Sequence, residues 1–184
     1  MTGHSTNMSG VRSGFNEKGV LLLSKARFLL LKYQIDASEI AYIIIGETLS
    51  ETGRYAEALK YYHQALNVAQ TQHTRALARR PLGAALIASG QLNQGREQLL
   101  AAANELSELI DKPGFEADMM RVERADALRR LLWVELQMGE RAHVEEDSKA
   151  LSAAILAVRD PWRRKSLEKA RDELIEKGLE GVKI

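Results

Sequence analysis

The side chains that could do chemistry in this chain are few and scattered. Four histidines, His4, His63, His73 and His143, have no second histidine or carboxylate at a recurring metal-ligand spacing, so the sequence gives no ground for a metal site. There is no glycine-rich phosphate loop, nucleophile elbow or HExxH run, and the isolated serines and histidines suggest no triad. Glu145-Glu146-Asp147 supplies neighbouring carboxylates of the kind general acid–base catalysis uses, but such a run on a helix also reads as a solvated face. Cysteine is absent, which excludes thiol catalysis and disulfides and fits a reducing, cytoplasmic compartment. The expectation is a protein without catalytic residues or a cofactor.

Arginine is the other chemically capable group. Arg79-Arg80, Arg129-Arg130 and Arg163-Arg164-Lys165 recur near helix starts or on first helices of hairpins, where a basic strip could hold a carboxylate or another anion. The overall balance opposes a strong field: 26 basic residues stand against 25 acidic ones, for a net charge of +1, and the two signs cancel across residues 116 to 165. Non-specific nucleic-acid binding is not expected from such a balance. A local anion or carboxylate contact at one of the pairs is the minor alternative.

These residues must be positioned by helices. In 184 residues, 45% are apolar and 28% charged, which is ordinary for one globular domain or one short repeat array. No period-two alternation is sustained, and prolines occur only at Pro81, Pro113 and Pro161. Gly53, Gly90 and Gly139 each close one apolar-periodic segment and precede another, as the turns of helical hairpins do. Helices are therefore expected at 17–34, 38–52, 55–71, 75–89, 92–111, 116–138, 141–159 and 161–177. Residues 1–13 read as a disordered tail ahead of a single domain over 14–184. The apolar stretch Val20 to Leu31 is interrupted by Ser24-Lys25-Ala26-Arg27 and is too short to span a membrane, and the polar first ten residues do not resemble a secretory signal.

The hairpins repeat. Gly46 to Gly83 and Gly53 to Gly90 are both 37 residues apart, and Leu82-Gly83-x2-Leu86 reproduces Ile45-Gly46-x2-Leu49 at that offset. A degraded third unit, Leu128-x2-Leu131-Leu132, precedes Gly139, and Asp111-Lys112-Pro113-Gly114 marks a longer connection before it. Small residues at Gly46 and Ala58, and at Gly83 and Gly95, should let paired helices approach closely. Leu132 and Val144 stand in the matching places of the third unit and should hold its helices apart. Pro81 falls within the first helix of the second unit, so that helix either starts late, near Ala78, or bends at Leu77.

The run Tyr42-x2-Ile45-Gly46-x2-Leu49 followed by Ala58-x3-Tyr62 is similar to the tetratricopeptide signature, which has Trp-x2-Leu-Gly-x2-Tyr and then Ala-x3-Phe over about 34 residues. The resemblance covers 38–110 well and 116–177 loosely, with repeats at 38–71, 75–111 and 116–159, an extended variant of that superfamily. It implies an all-α right-handed superhelix of antiparallel hairpins (a tetratricopeptide-like solenoid). The implied concave groove is lined by Ile43, Glu47 and Ser50, by Arg80, Ala84 and Ile87, and by Arg129, Trp133 and Leu136. Chaperone-tail-binding members clamp a terminal carboxylate with a Lys/Asn/Arg set. Ile43 and Glu47 stand where that set requires Lys and Asn, so the likeness does not extend to that clamp.

Two ends complete the reading. Asp160-Pro161 forms an N-cap with proline at the first helical position, and the apolar stripe Leu167, Ala170 and Leu174 marks 161–177 as a capping helix. The segment 17–34 is apolar all round, with Leu22, Phe28 and Leu29 among its large side chains. It is covered by a second copy, by another protein, by the rest of a longer superhelix, or by its own groove. The functional expectation is an adaptor, scaffold or assembly module that binds a peptide or helix of another protein. The alternative is a ligand- or peptide-sensing domain of a signalling or transcription regulator.

Overall fold

Three glycines set the turns. Gly53, Gly90 and Gly139 have φ of 74°, 85° and 71°, in the left-handed region that side chains with a Cβ enter only with strain. At the first turn the Gly53 amide donates to the Ser50 carbonyl at 2.9 Å and the Arg54 amide to the Leu49 carbonyl at 2.9 Å; at the second, Gly90 donates to Ile87 at 2.9 Å and Gln91 to Leu86 at 2.8 Å. Both are the same Schellman-type helix end. The bonded residues correspond one to one at the 37-residue sequence offset, so the repetition is one of backbone geometry as well as of residue type.

The computed structural model describes residues 38–110, 117–139 and 141–180. Among them seven helices and no strand occur: α1 (Ser38–Glu51), α2 (Tyr55–Val68), α3 (Gln72–Ala88), α4 (Leu92–Leu109), α5 (Ala117–Met138), α6 (Arg141–Ala157) and α7 (Pro161–Glu180). The expected tail at 1–13, the helix at 17–34 with Leu22, Phe28 and Leu29, and the connection at 111–114 lie outside the described residues. Consecutive helices pair as α1 with α2, α3 with α4 and α5 with α6, and each pair packs on the next. Among the odd-numbered helices, α3 also touches α1 on one side and α5 on the other, which places the three faces side by side. None of the described helices is long and apolar enough to cross a membrane.

The cores between helices are built largely from alanine and leucine. Leu99, Ala102 and Ala103 of α4 pack with Ala125, Leu128, Leu131 and Leu132 of α5 and with Leu151 and Ile155 of α6. A smaller cluster joins Ala58 and Tyr62 of α2 to Leu82, Ala85 and Leu86 of α3. Small side chains bring helix axes close enough for dispersion contacts to extend along whole faces.

The second hairpin is the closest, because Gly83 and Gly95 face each other. A Cβ on Gly83 would stand 3.0 Å from the Gly95 carbonyl oxygen, and one on Gly95 would stand 2.8 Å from that of Gly83. The first hairpin departs from the expected pairing. The space above Gly46 is filled by the Tyr62 ring, whose nearest carbon would lie 2.5 Å from an added Cβ. Ala58 instead packs toward α3; the ring needs the room that glycine leaves, and one turn of helix separates the two residues. In the third hairpin Leu132 is fully buried and Val144 packs against the same core.

Pro81 does not delay α3. Thr71 caps the helix ahead of Gln72: its hydroxyl accepts the Thr74 amide at 3.1 Å, and the Thr74 hydroxyl accepts the Thr71 amide at 3.3 Å. That reciprocal capping box fixes the start. The helix then runs through a buried Pro81 as far as Ala88, so the late start near Ala78 is corrected.

At the far end, Asp160 caps α7, accepting the Trp162 and Arg163 amides at 2.8 and 3.1 Å. Asp118, at the start of α5, accepts the Arg159 and Asp160 amides at 2.5 and 3.0 Å. Its carboxyl is held below the usual range chiefly by the hydrogen bond from the Arg159 backbone. Leu167, Leu174 and Ile175 of α7 lie against the core beneath them.

Candidate functional site

The adjoining faces of α1, α3 and α5 form a groove. Its α1 end is a cleft of about 480 Å³ lined by Glu47, Ser50 and Glu51 of α1, Tyr55 and Tyr62 of α2, Arg80, Pro81, Ala84, Ala85 and Ala88 of α3, and Arg130 of α5. It continues into a recess of about 290 Å³ between Ala84, Ile87 and Ala88 and the α5 residues Arg129, Arg130 and Trp133. The two share Ala84, Ala88 and Arg130. Helical spacing produces this: Arg80, Ala84, Ile87 and Ala88 stand on one face of α3, and Asp126, Arg129, Arg130 and Trp133 on one face of α5. Alanines make the floor low, which is why there is a groove at all.

Electrostatically the groove has two unlike walls. On the α5 side, Asp126 accepts from Arg129 Nη2 at 2.8 Å, Arg130 Nε at 2.9 Å and Arg80 Nη1 at 3.1 Å. Arg80 Nε also lies 2.7 Å from Glu123. Burial alone would raise the Asp126 carboxyl, but Arg130 and Arg129 overcome it and hold it down at about 2. On the α1 side, Glu47 and Glu51 make no ion pair or side-chain hydrogen bond among the described residues. Burial, the largest influence, raises the Glu47 carboxyl above its ordinary value; Arg80 opposes this, while Glu123 and Glu51 add to it. Between the walls the Tyr62 hydroxyl, 3.2 Å from Ser50 Oγ, is pushed up to about 12 by burial.

Seven of the nine residues expected in the groove line it: Glu47, Ser50, Arg80, Ala84, Ile87, Arg129 and Trp133. Two do not. Ile43, 7% exposed, is buried with Ala65 and Ala78, because its position on α1 turns toward α2 and α3. Leu136 packs on the core shared by α4, α5 and α6, since one turn beyond Trp133 the same stripe of α5 has rotated inward. Trp133 is 39% exposed and so presents part of its ring to the groove.

The basic pairs form no continuous strip. Arg79 points to α4, bonding Gln98 at 2.7 Å and Glu105 at 3.2 Å, whereas its neighbour Arg80 faces the groove. Arg164 donates to the Val158 carbonyl, and Arg163 lies 3.6 Å from Asp160. Of the acidic run, Glu145 and Glu146 are exposed, whereas Asp147 is raised by burial and by Glu135.

Sequence reasoning missed two acids that organise the site and its surroundings. Asp126 was legible, lying three and four residues before Arg129 and Arg130, the spacing of helical ion pairs. Glu135 was not: it is fully buried beneath the third hairpin, paired with Arg96 of α4, with His143 Nδ1 at 4.0 Å. No family model, curated protein or solved structure matches the chain. Among the described residues no three histidine, aspartate or glutamate side chains converge as metal ligands.

Proposed function

We propose that the chain is a non-enzymatic protein–protein interaction module, a tetratricopeptide-like right-handed superhelix that holds a peptide or helix of a partner protein in the groove between α1, α3 and α5. The observation that carries the reading is the groove's lining: alanines form a continuous floor, charged side chains stand on both walls, and a partly exposed tryptophan closes one side. Such a lining suits an amphipathic segment, since an aromatic anchor supplies area while fixed charges set register. A cytoplasmic adaptor, scaffold or assembly factor is the role that follows.

The test blocks the groove without touching the core. Ala84→Arg fills its floor, and an affinity pull-down from source cells is compared between this variant and wild type. Partners retained by wild type and lost on Ala84→Arg support the reading; an unchanged set sinks it, provided both proteins melt at similar temperatures. The apolar segment at 17–34 belongs to the same proposal as a dimer or partner helix. Light scattering of wild type and Leu22→Glu tests it, with a wild-type monomer removing the dimer. The 480 Å³ of the cleft also suits a small molecule, which favours a ligand-sensing domain as the second reading.

A further inference from the structure

We infer that the occupant of the groove carries a cation: a peptide segment that presents a lysine or arginine to Glu47 and Glu51 and an apolar side chain to Ile87 and Trp133. This rests on the groove reading above and names the chemistry of its partner.

The guanidiniums of the groove are already taken by carboxylates. Arg80 holds Asp126 and Glu123, and Arg129 and Arg130 both hold Asp126. An anionic ligand arriving at these guanidiniums must compete with carboxylates already in place at 2.7 to 3.1 Å. A cation arriving at Glu47 and Glu51 has no ion pair to displace, and the Arg80 and Arg130 guanidiniums that line the same cleft are already compensated by Glu123 and Asp126. Glu47 and Glu51 are one helical turn apart, both line the cleft, and among the described residues neither has a counter-ion in contact. Glu47 is moreover partly buried there, a cost that a bonded cation offsets.

The floor fits the same ligand. Ala84 and Ala88 are shared between the cleft beside Glu47 and the Trp133 recess, so an alkyl stem can cross them while its charged end reaches Glu47. The recess beside Ile87 and Trp133 then receives an apolar side chain of the same segment. Recognition is two-point and polar: cation toward α1, apolar group toward α5. A segment with an acidic residue in place of the cation meets two like charges at the α1 wall and is rejected.

The experiment pans the full-length chain, immobilised at low ionic strength, against a displayed library of random sixteen-residue peptides. Enriched peptides are expected to carry Lys or Arg at a fixed spacing from Leu, Ile, Met or Phe. A synthetic copy with its basic residue changed to Gln is expected to bind about tenfold more weakly, the loss of one charge-assisted hydrogen bond. The double variant Glu47→Gln/Glu51→Gln, whose amides keep the shape of the carboxylates, should bind the parent peptide about tenfold more weakly and the Gln copy as wild type does. Enriched peptides without basic residues whose binding is lost on Ala84→Arg overturn the cation and leave the groove standing. Binding indifferent to Ala84→Arg, or a library that yields no binder, overturns the groove and the cation together.

Discussion

The two walls of the groove are held in place by different physics. On α1, Gly46 lies beneath the Tyr62 ring, so that wall is fixed by shape, and its neighbours Glu47 and Glu51 make no ion pair or side-chain hydrogen bond among the described residues. On α5, Asp126 gathers three guanidiniums, so that wall is fixed by charge. The charges of Glu47 and Glu51 can therefore be removed without breaking an ion pair, whereas on α5 the charges of Asp126, Arg129 and Arg130 support one another. The cation site proposed above lies on the wall whose fold does not depend on its charges.

Four changes break or sharpen this contrast. The largest effect is expected for Gly46→Val, which drives a branched side chain into the Tyr62 ring and should destabilise by on the order of 3 kcal/mol, read from the urea midpoint. Asp126→Asn comes next, at about 2 kcal/mol near neutral pH. Because the folded carboxyl sits at about 2 against an ordinary 3.8, its contribution is full above the ordinary value and disappears as pH falls toward 2. Wild type and variant should then converge in acid; a pH-independent gap would remove the charge argument.

Trp133→Ala should cost about 1 kcal/mol, since its ring is only partly covered, while abolishing peptide binding. Equal binding by this variant would show that the α5 wall is not part of the site. Glu47→Gln is the smallest and has the opposite sign. A carboxyl whose folded value is raised favours the fold when protonated and loses that advantage as pH rises. The amide should therefore stabilise by roughly 0.5 kcal/mol at neutral pH, with no gain in acid. Destabilisation would mean that Glu47 has a structural partner after all.

The helices were legible in the sequence because each is punctuated by residues with one physical job: Gly53, Gly90 and Gly139 at left-handed turns, and Asp160 with Pro161 at the start of α7. Every described helix lies within three residues of its expected bounds. Close approach was legible where two glycines oppose each other, at Gly83 and Gly95, because a Cβ on either would run into the other's carbonyl oxygen. It was misread at Gly46, where the partner is a large ring placed one turn further on. Ile43 and Leu136 were misplaced for a related reason. Spacing puts a residue on a helix face, but the rotation of that face about its axis is set by neighbours as far away as Ala78, and nothing local encodes it. Glu135 and its partner Arg96 stand 39 residues apart, beyond any periodic signal.

Asp118 has a consequence for the C-terminal half. Its single carboxylate takes two backbone amides 41 and 42 residues further along the chain, stitching the first turn of α5 to the corner that leads into α7. The intervening span contains almost all of α5 and the whole of α6. Once that stitch closes a long loop, the entropy of the enclosed chain is lost in one step rather than helix by helix. Hydrogen exchange is therefore expected to link the first turn of α5 to the start of α7, while α4, whose Leu99, Ala102 and Ala103 share the core of α5 and α6, ties that end of the molecule to the helices that carry the rest of the groove.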